Sequence, residues 1–371
     1  MTSSPDSSRR EFLTGRAAQK EIRHAGDKLA DALSETTAGT APIAGDTIRL
    51  ETRAMGCPWC VVMNPGPSRQ VMVATDAFEI VRSVEQMLTI YRDESEVAQL
   101  NLHAFQSECS VSTELLEFLR ICRQLYDETS RAFDPAAGQL IQLWKRARLQ
   151  GRIPTTEEIQ SALKNSGMQY VTWDCQQQTI RFESELLLDF ASIGKGYGID
   201  RAAEHLQREH IDSFLIHGGF SSLLAQGEHN GLPGWPIGLK NPLFTEQRYA
   251  TLLVCNQGMS TSGSNVQYFR HHGKRYGHLL DPRTGWPTDG LLSVTVLAPT
   301  AAHADALSTA FYVMGLDKAL QYCDDHPEVG AILVPPPSQG RLLEPLVKNI
   351  ELERFHPERD ISPQGSPWGK T

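Results

Sequence analysis

Asp305 and Thr309 stand four residues apart in His303-Ala304-Asp305-Ala306-Leu307-Ser308-Thr309. In a helix that spacing puts both oxygens on one face. Hard oxygen donors so placed suit Mg2+, which takes one or two protein oxygens and fills its octahedron with water and substrate phosphate. The same residues also have a structural use: an aspartate near a helix start favours the dipole, and a threonine can bond back within the helix. Gly194-Lys195-Gly196-Tyr197-Gly198 lies between an apolar stretch and a helical pattern. It misses both G-x-x-x-x-G-K-[ST] and G-x-G-x-x-G. What it offers is a glycine turn whose backbone N–H groups can approach an anion at a helix N-terminus, with Lys195 adding charge. A plain helix-entry turn reads equally well.

His278 precedes Asp281-Pro282-Arg283-Thr284-Gly285, whose composition is that of a tight turn. A histidine beside such a turn is a candidate general base near neutral pH, although it is one of 12 histidines. Asp134, Asp189 and Asp200 flank apolar segments, where each alone fits a turn or a cap. Cys57-Pro58-Trp59-Cys60 has the form of half a zinc site or a redox dithiol. With no second pair and no βαβ context, a structural role is expected, and the other five of the 7 cysteines are scattered singly, as in a reduced compartment.

The elements that must carry these residues are readable in outline. Ile48–Thr52 alternates as a strand, and a second run at Cys60–Met63 is placed to pair with it. Phe78, Val81, Val84, Leu88 and Tyr91 recur at helical spacing, predicting a helix over 77–91 with Asp76 as its cap. Further helices are expected at 113–129, from Pro135 to Arg148, from a capping box at Thr155 to Glu158, and over 197–209, 301–314 and 317–325. Strands are expected at 170–173, 179–182, 213–216, 235–239, 249–255, 276–280, 291–297 and 330–334, with a strand and turn over 186–196. Strands and helices intermix without strict alternation, which predicts an α+β fold in a single large domain.

The chain has 371 residues, enough for one sizeable core, and a net charge of −9. That charge repels nucleic acid and anionic lipid unless a basic patch outweighs it, and no such patch is read in the sequence. No run approaches the roughly 18 apolar residues of a spanning helix. Residues 1–45 are polar and Ser/Thr/Ala-rich, and are expected to form a weakly ordered arm with a helical stretch near 17–34. Ser8-Arg9-Arg10-Glu11-Phe12-Leu13 looks like a twin-arginine export start, but the charged segment after it lacks an apolar core. Cytoplasm is therefore favoured over export. The folded body is expected over 46–355, with a tail at 356–371.

Taken in order, the motifs are more specific than any one of them. Met55-Gly56, Tyr91-x-x-x-Ser95-Glu96, Ala132-Phe133-Asp134-Pro135, Asp189 through Lys195-Gly196, Gly218-Gly219, Trp235-Pro-Ile-Gly, Ser260-Thr-Ser-Gly263, His278 through Gly285 and Ala304-Asp305-Ala-Leu-Ser-Thr309 together resemble the ApbE family of flavin transferases over about residues 46–350. The resemblance implies an FAD cleft contacted by Met55, Tyr91, Ala132, Phe133, Asp134, Asp189, Lys195 and Leu280. It implies Mg2+ held by Asp305, Thr309 and an oxygen from Ser192, with His278 as catalytic base. The implied reaction transfers FMN from FAD to a threonine or serine of an acceptor protein and releases AMP. FAD hydrolysis by water, or FAD binding without catalysis, are the alternatives. Three positions depart from the family pattern: Ala191-Ser192 replaces Gly-Gly, Cys57 replaces threonine, and Phe220-Ser221-Ser222 replaces a segment with an acidic residue.

Overall fold

A two-residue turn at Met55-Gly56, both at positive φ (49° and 72°), folds β1 (Ile48–Ala54) back onto β2 (Cys57–Met63). Such turns match the twist of the strands they join, which is why a glycine sits in this one. The computed structural model describes residues 46–263, 268–338 and 340–358. The expected N-terminal arm and the end of the expected tail lie outside the described residues.

Helices α1 (Arg69–Leu88), α2 (Glu96–His103), α3 (Thr113–Glu128), α4 (Gly138–Leu149) and α5 (Thr156–Lys164) follow, with the short strand β3 (Cys109–Ser110) before α3. Then come β4 (Val171–Asp174), β5 (Thr179–Phe182) and α6 (Gly194–Arg208). The next stretch is all strand: β6 (Phe214–Gly218), β7 (Ser222–Gln226), β8 (Trp235–Lys240), β9 (Arg248–Val254), β10 (Gln257–Gly263), β11 (Tyr268–His271), β12 (Lys274–Gly277) and β13 (Ser293–Ala298). Helices α7 (Ala301–Met314) and α8 (Leu316–Asp325) lead to β14 (Gly330–Val334), β15 (Leu346–Lys348) and β16 (Phe355–Pro357).

Eight strands form one antiparallel sheet in the order β1-β2-β6-β7-β10-β13-β14-β15. Alternation along β2 shows how it is sandwiched. Trp59, Val61 and Met63 pack with Val73, Val81, Ile199 and Leu206 of α1 and α6. Cys60 and Val62 face the other way, against Trp235, Leu252 and Phe355 of the three-stranded sheet β16-β9-β8. Each fully buried large apolar side chain contributes roughly 1.5–3 kcal/mol to this layering. The fold is α+β, as the intermixed pattern predicts.

Several expected boundaries move. The first helix begins at Arg69, not at an Asp76 cap, because Val73 and Ala74 extend the buried stripe of Ala77, Val81 and Val84 back by one turn, with one further, largely exposed turn before them. Asp76 lies exposed inside it, and the helix stops at Thr89, before Tyr91. No strand forms over 186–196. Leu186, Leu188 and Phe190 are buried there, but the backbone is satisfied by loop contacts: Leu188 exchanges hydrogen bonds with the Asn101 amide, and Asp189 N–H donates to Pro135 O. Strand β12 ends at Gly277, short of the expected 280, and β16 crosses the expected 355/356 boundary. Seven elements were not read in the sequence: α2, β3, β7, β10, β11, β15 and β16.

Candidate active site

The starts of α6 and α7 are clamped together. Gly196 sits so close to α7 that a β carbon there would lie 2.3 Å from the Ala301 carbonyl oxygen, so only glycine fits. The clamp is reciprocal. Asp200 of α6 accepts hydrogen bonds from Ala301 N–H (2.7 Å) and Ala302 N–H (2.8 Å), two otherwise unpaired donors in the first turn of α7. Asp305 of α7 accepts in return from Gly196 N–H at 3.1 Å. Burial pushes the Asp200 carboxyl up to about 7, against the pull of those two amides.

Asp305 lies 5% exposed, one turn into α7, over the central sheet. Its Oδ1 accepts from Ser222 Oγ (2.8 Å) on β7 and Ser260 Oγ (3.0 Å) on β10. Its Oδ2 lies 3.5 Å from Lys195 Nζ. The same ammonium is 3.4 Å from the Ala191 carbonyl oxygen. A single cation therefore already bridges the α7 carboxylate and the 191–192 turn. One helical turn beyond, Thr309 Oγ1 is 3.2 Å from Ser262 Oγ, within a chain of hydroxyls running through Ser308 to Ser260.

Lys195, Ser262, Asp305 and Thr309 of this cluster line a cleft of about 720 Å³, within the range of small-molecule sites. The cleft brings together Met55, Ala132, Phe133, Asp134, Asp189, Ser192, Lys195, His278, Leu280, Asp305 and Thr309. Their supports are local. Asp134 Oδ1 accepts from Ala136 N–H at 2.9 Å, and burial raises its carboxyl to about 7. Asp189 Oδ1 caps Ala191 N–H at 3.0 Å while Oδ2 stands 3.8 Å from Lys145 Nζ. Asp281 makes a two-pronged contact with Arg283 and anchors the turn after His278, which is itself exposed. Tyr91 is the exception: it is 81% exposed and does not line the cleft, because α1 ends before it and turns it outward.

The sequence reading missed part of the wall. Ile141, Trp144, Lys145 and Arg148 all line the cleft from α4, and their i, i+3, i+4, i+7 spacing was the available signal. Ser222 and Ser260, which hold Asp305, went unassigned because β10 is rich in small hydroxyl residues and β7 is a five-residue strand with one serine at its start. Cys57 and Cys60 are both free, and strand alternation puts them on opposite faces of β2. Cys57 lines the cleft while Cys60 is buried against the three-stranded sheet, so they do not act as a dithiol.

Among the described residues no group of three or more His, Cys, Asp or Glu is placed to hold a metal ion. The donors gathered near Asp305 are one carboxylate, hydroxyls and a carbonyl, a set that fits an oxygen-preferring cation such as Mg2+. No helix among the described residues is long and apolar enough to cross a membrane.

The chain is 31% identical over 257 residues to the FAD:protein FMN transferase of Haemophilus influenzae, covering 66% of this chain and 73% of that protein. It is 32% identical over 244 residues to the FAD:protein FMN transferase of Escherichia coli K12, covering 63% and 69%. Among solved structures it superposes on the ApbE protein of Thermotoga maritima with a TM-score of 0.73 at 28% identity, covering 81% of this chain and 97% of that one. The apo flavinyl transferase ApbE of Pseudomonas stutzeri gives 0.70 at 27%, covering 82% and 95%. The ApbE family model matches residues 55–333, and the chain belongs to the ApbE family.

Proposed function

We propose that the cleft binds FAD and, with Mg2+, transfers its FMN half to a threonine or serine hydroxyl of an acceptor protein, releasing AMP. The observation that carries this reading is the convergence of Asp305 Oδ2 and the Ala191 carbonyl on one cationic point, held by Lys195 Nζ at 3.5 and 3.4 Å. Mg2+ would be held by Asp305, Thr309 and an oxygen of the Ala191-Ser192 turn, where it supplies charge neutralisation to a diphosphate. Lys195, at the start of α6, then faces the phosphates. His278 accepts the acceptor's proton as the hydroxyl oxygen bonds to the FMN-side phosphorus. The bond from that phosphorus to the bridging oxygen breaks, and AMP leaves with the electron pair. Met55, Phe133 and Leu280 provide apolar wall, and Asp134 and Asp189 provide acceptors for polar edges of the bound dinucleotide. The functional unit on this reading is the body from residue 46 to β16.

His278 is exposed, so water can compete as acceptor, and FAD hydrolysis is the rival outcome of the same assay. The purified chain is incubated with FAD, MgCl2 and a threonine-containing acceptor peptide. A peptide mass gain equal to FMN less one water, lost in His278→Ala, supports transfer. AMP without peptide labelling identifies a hydrolase, and FAD binding with no AMP identifies a carrier.

A further inference from the structure

In the hairpin β11–β12, Phe269 pairs with Tyr276, Arg270 with Arg275 and His271 with Lys274. Directly opposed residues share a face. One face carries Phe269 and Tyr276, whose rings stack at 5.4 Å and pack on Trp144 of α4. The other carries Arg270 and Arg275 beside Tyr268, with guanidinium carbons 5.9 and 4.0 Å from its ring centroid. Arg270, Lys274 and Arg275 are all exposed. Among the described residues no carboxylate pairs with Arg270 or Lys274, whose cations lie over the Tyr268 and Tyr276 rings instead. The sequence reading found no basic patch. Arg270-His271-His272-Gly273-Lys274-Arg275 is one, within a chain of net charge −9.

Like charges gathered on a short ribbon are unfavourable, and an anion laid over Arg270 and Lys274 relieves them. The location gives the anion a use. Tyr268, Phe269 and Tyr276 line the cleft, and β12 runs straight into His278. Arg275 is three residues from His278, roughly 10 Å along extended backbone. A polypeptide presenting a hydroxyl to His278 therefore carries its neighbouring residues past these cations.

We infer that the outer face and the exposed tip of this hairpin, with Arg270 on the first and Lys274 at the second, dock the acceptor protein, and that the acceptor segment flanking the modified hydroxyl is acidic. This rests on the transfer reading above. Nucleic acid and anionic lipid offer the same charge and are separated by the test. Fluorescein-labelled octaglutamate is titrated with the full chain at low salt, with octaglutamine as the neutral control, and FAD binding is followed by flavin fluorescence. Octaglutamate should bind about tenfold or more tightly than octaglutamine, and should weaken by about tenfold in an Arg270→Glu/Lys274→Glu variant and as salt is raised. FAD binding should stay unchanged in that variant. Equal binding of the two peptides overturns the inference, as does binding insensitive to charge reversal. So does a single-stranded oligonucleotide or a phosphatidylserine vesicle that binds more tightly and displaces the octaglutamate. A wild-type chain that binds octaglutamate through these residues but forms no AMP from FAD and Mg2+ overturns the transfer reading and the acceptor assignment, and leaves an acidic-ligand surface standing.

Discussion

Asp200→Asn tests the clamp that places Asp305. The wild-type carboxylate is 9% exposed and raised from 3.8 to about 7, burial being the main cause. A carboxyl raised on folding stabilises the fold below its unfolded pKa, and that contribution is lost as pH climbs through the folded value. Between pH 5 and pH 7 the loss is about 1.4 kcal/mol per pH unit, so by pH 8 it amounts to about 3 kcal/mol. Asparagine keeps the shape and one acceptor but does not titrate. Urea unfolding of both proteins at pH 5 and pH 8 should show the wild type losing about 3 kcal/mol more than the variant over that interval. Asp134, raised by the same cause, contributes equally to both proteins and cancels in the difference. Parallel pH curves would refute the argument: Asp200 would then be ionised throughout and its two amide bonds would outweigh burial. At pH 8 the variant should also need more Mg2+ for half-maximal AMP release, because the start of α7 is held by one acceptor fewer.

Other perturbations have separate readouts. Asp305→Ala should weaken Mn2+ binding, measured by electron paramagnetic resonance, by about 100-fold, and lower FAD-dependent AMP release by about three orders of magnitude; unchanged Mn2+ binding would move the cation site elsewhere. Gly196→Ala forces a β carbon to within 2.3 Å of Ala301 O and should cost about 3 kcal/mol, seen as a fall in Tm of roughly 5 °C. The Cys57 thiol is raised by burial and drawn back down by Lys195. Iodoacetamide should therefore label it faster as pH rises above about 9, and saturating FAD should protect it; labelling unaffected by FAD would remove Cys57 from the cleft wall.

Much of the scaffold was readable because its signals are local. The capping box at Thr155 and Glu158, the buried stripe of α7 and the apolar run of β14 each depend on residues within a few positions of one another. Motif order alone was enough to bring the family into view, and i, i+4 spacing put Asp305 and Thr309 on one helical face. Other features were decided only by tertiary structure. β10 looks like a loop in the sequence, since Gln257-Gly258-Met259-Ser260-Thr261-Ser262-Gly263 carries little apolar alternation, and β7 offers only the short run Leu223-Leu224-Ala225. They are strands because neighbours on both sides satisfy their backbone, and there their hydroxyls orient Asp305. Residue type and spacing alone did not say which aspartate faces the cleft and which locks two helices; only the family resemblance assigned Asp134, Asp189 and Asp305, and it left Asp200 without a role. Asp189, Asp200 and Asp305 are alike by type, and only the approach of α6 to α7, from residues about a hundred positions apart, separates their roles. Local chemistry determines which segments can be helix or strand; partners distant in sequence determine which polar groups are left facing a ligand.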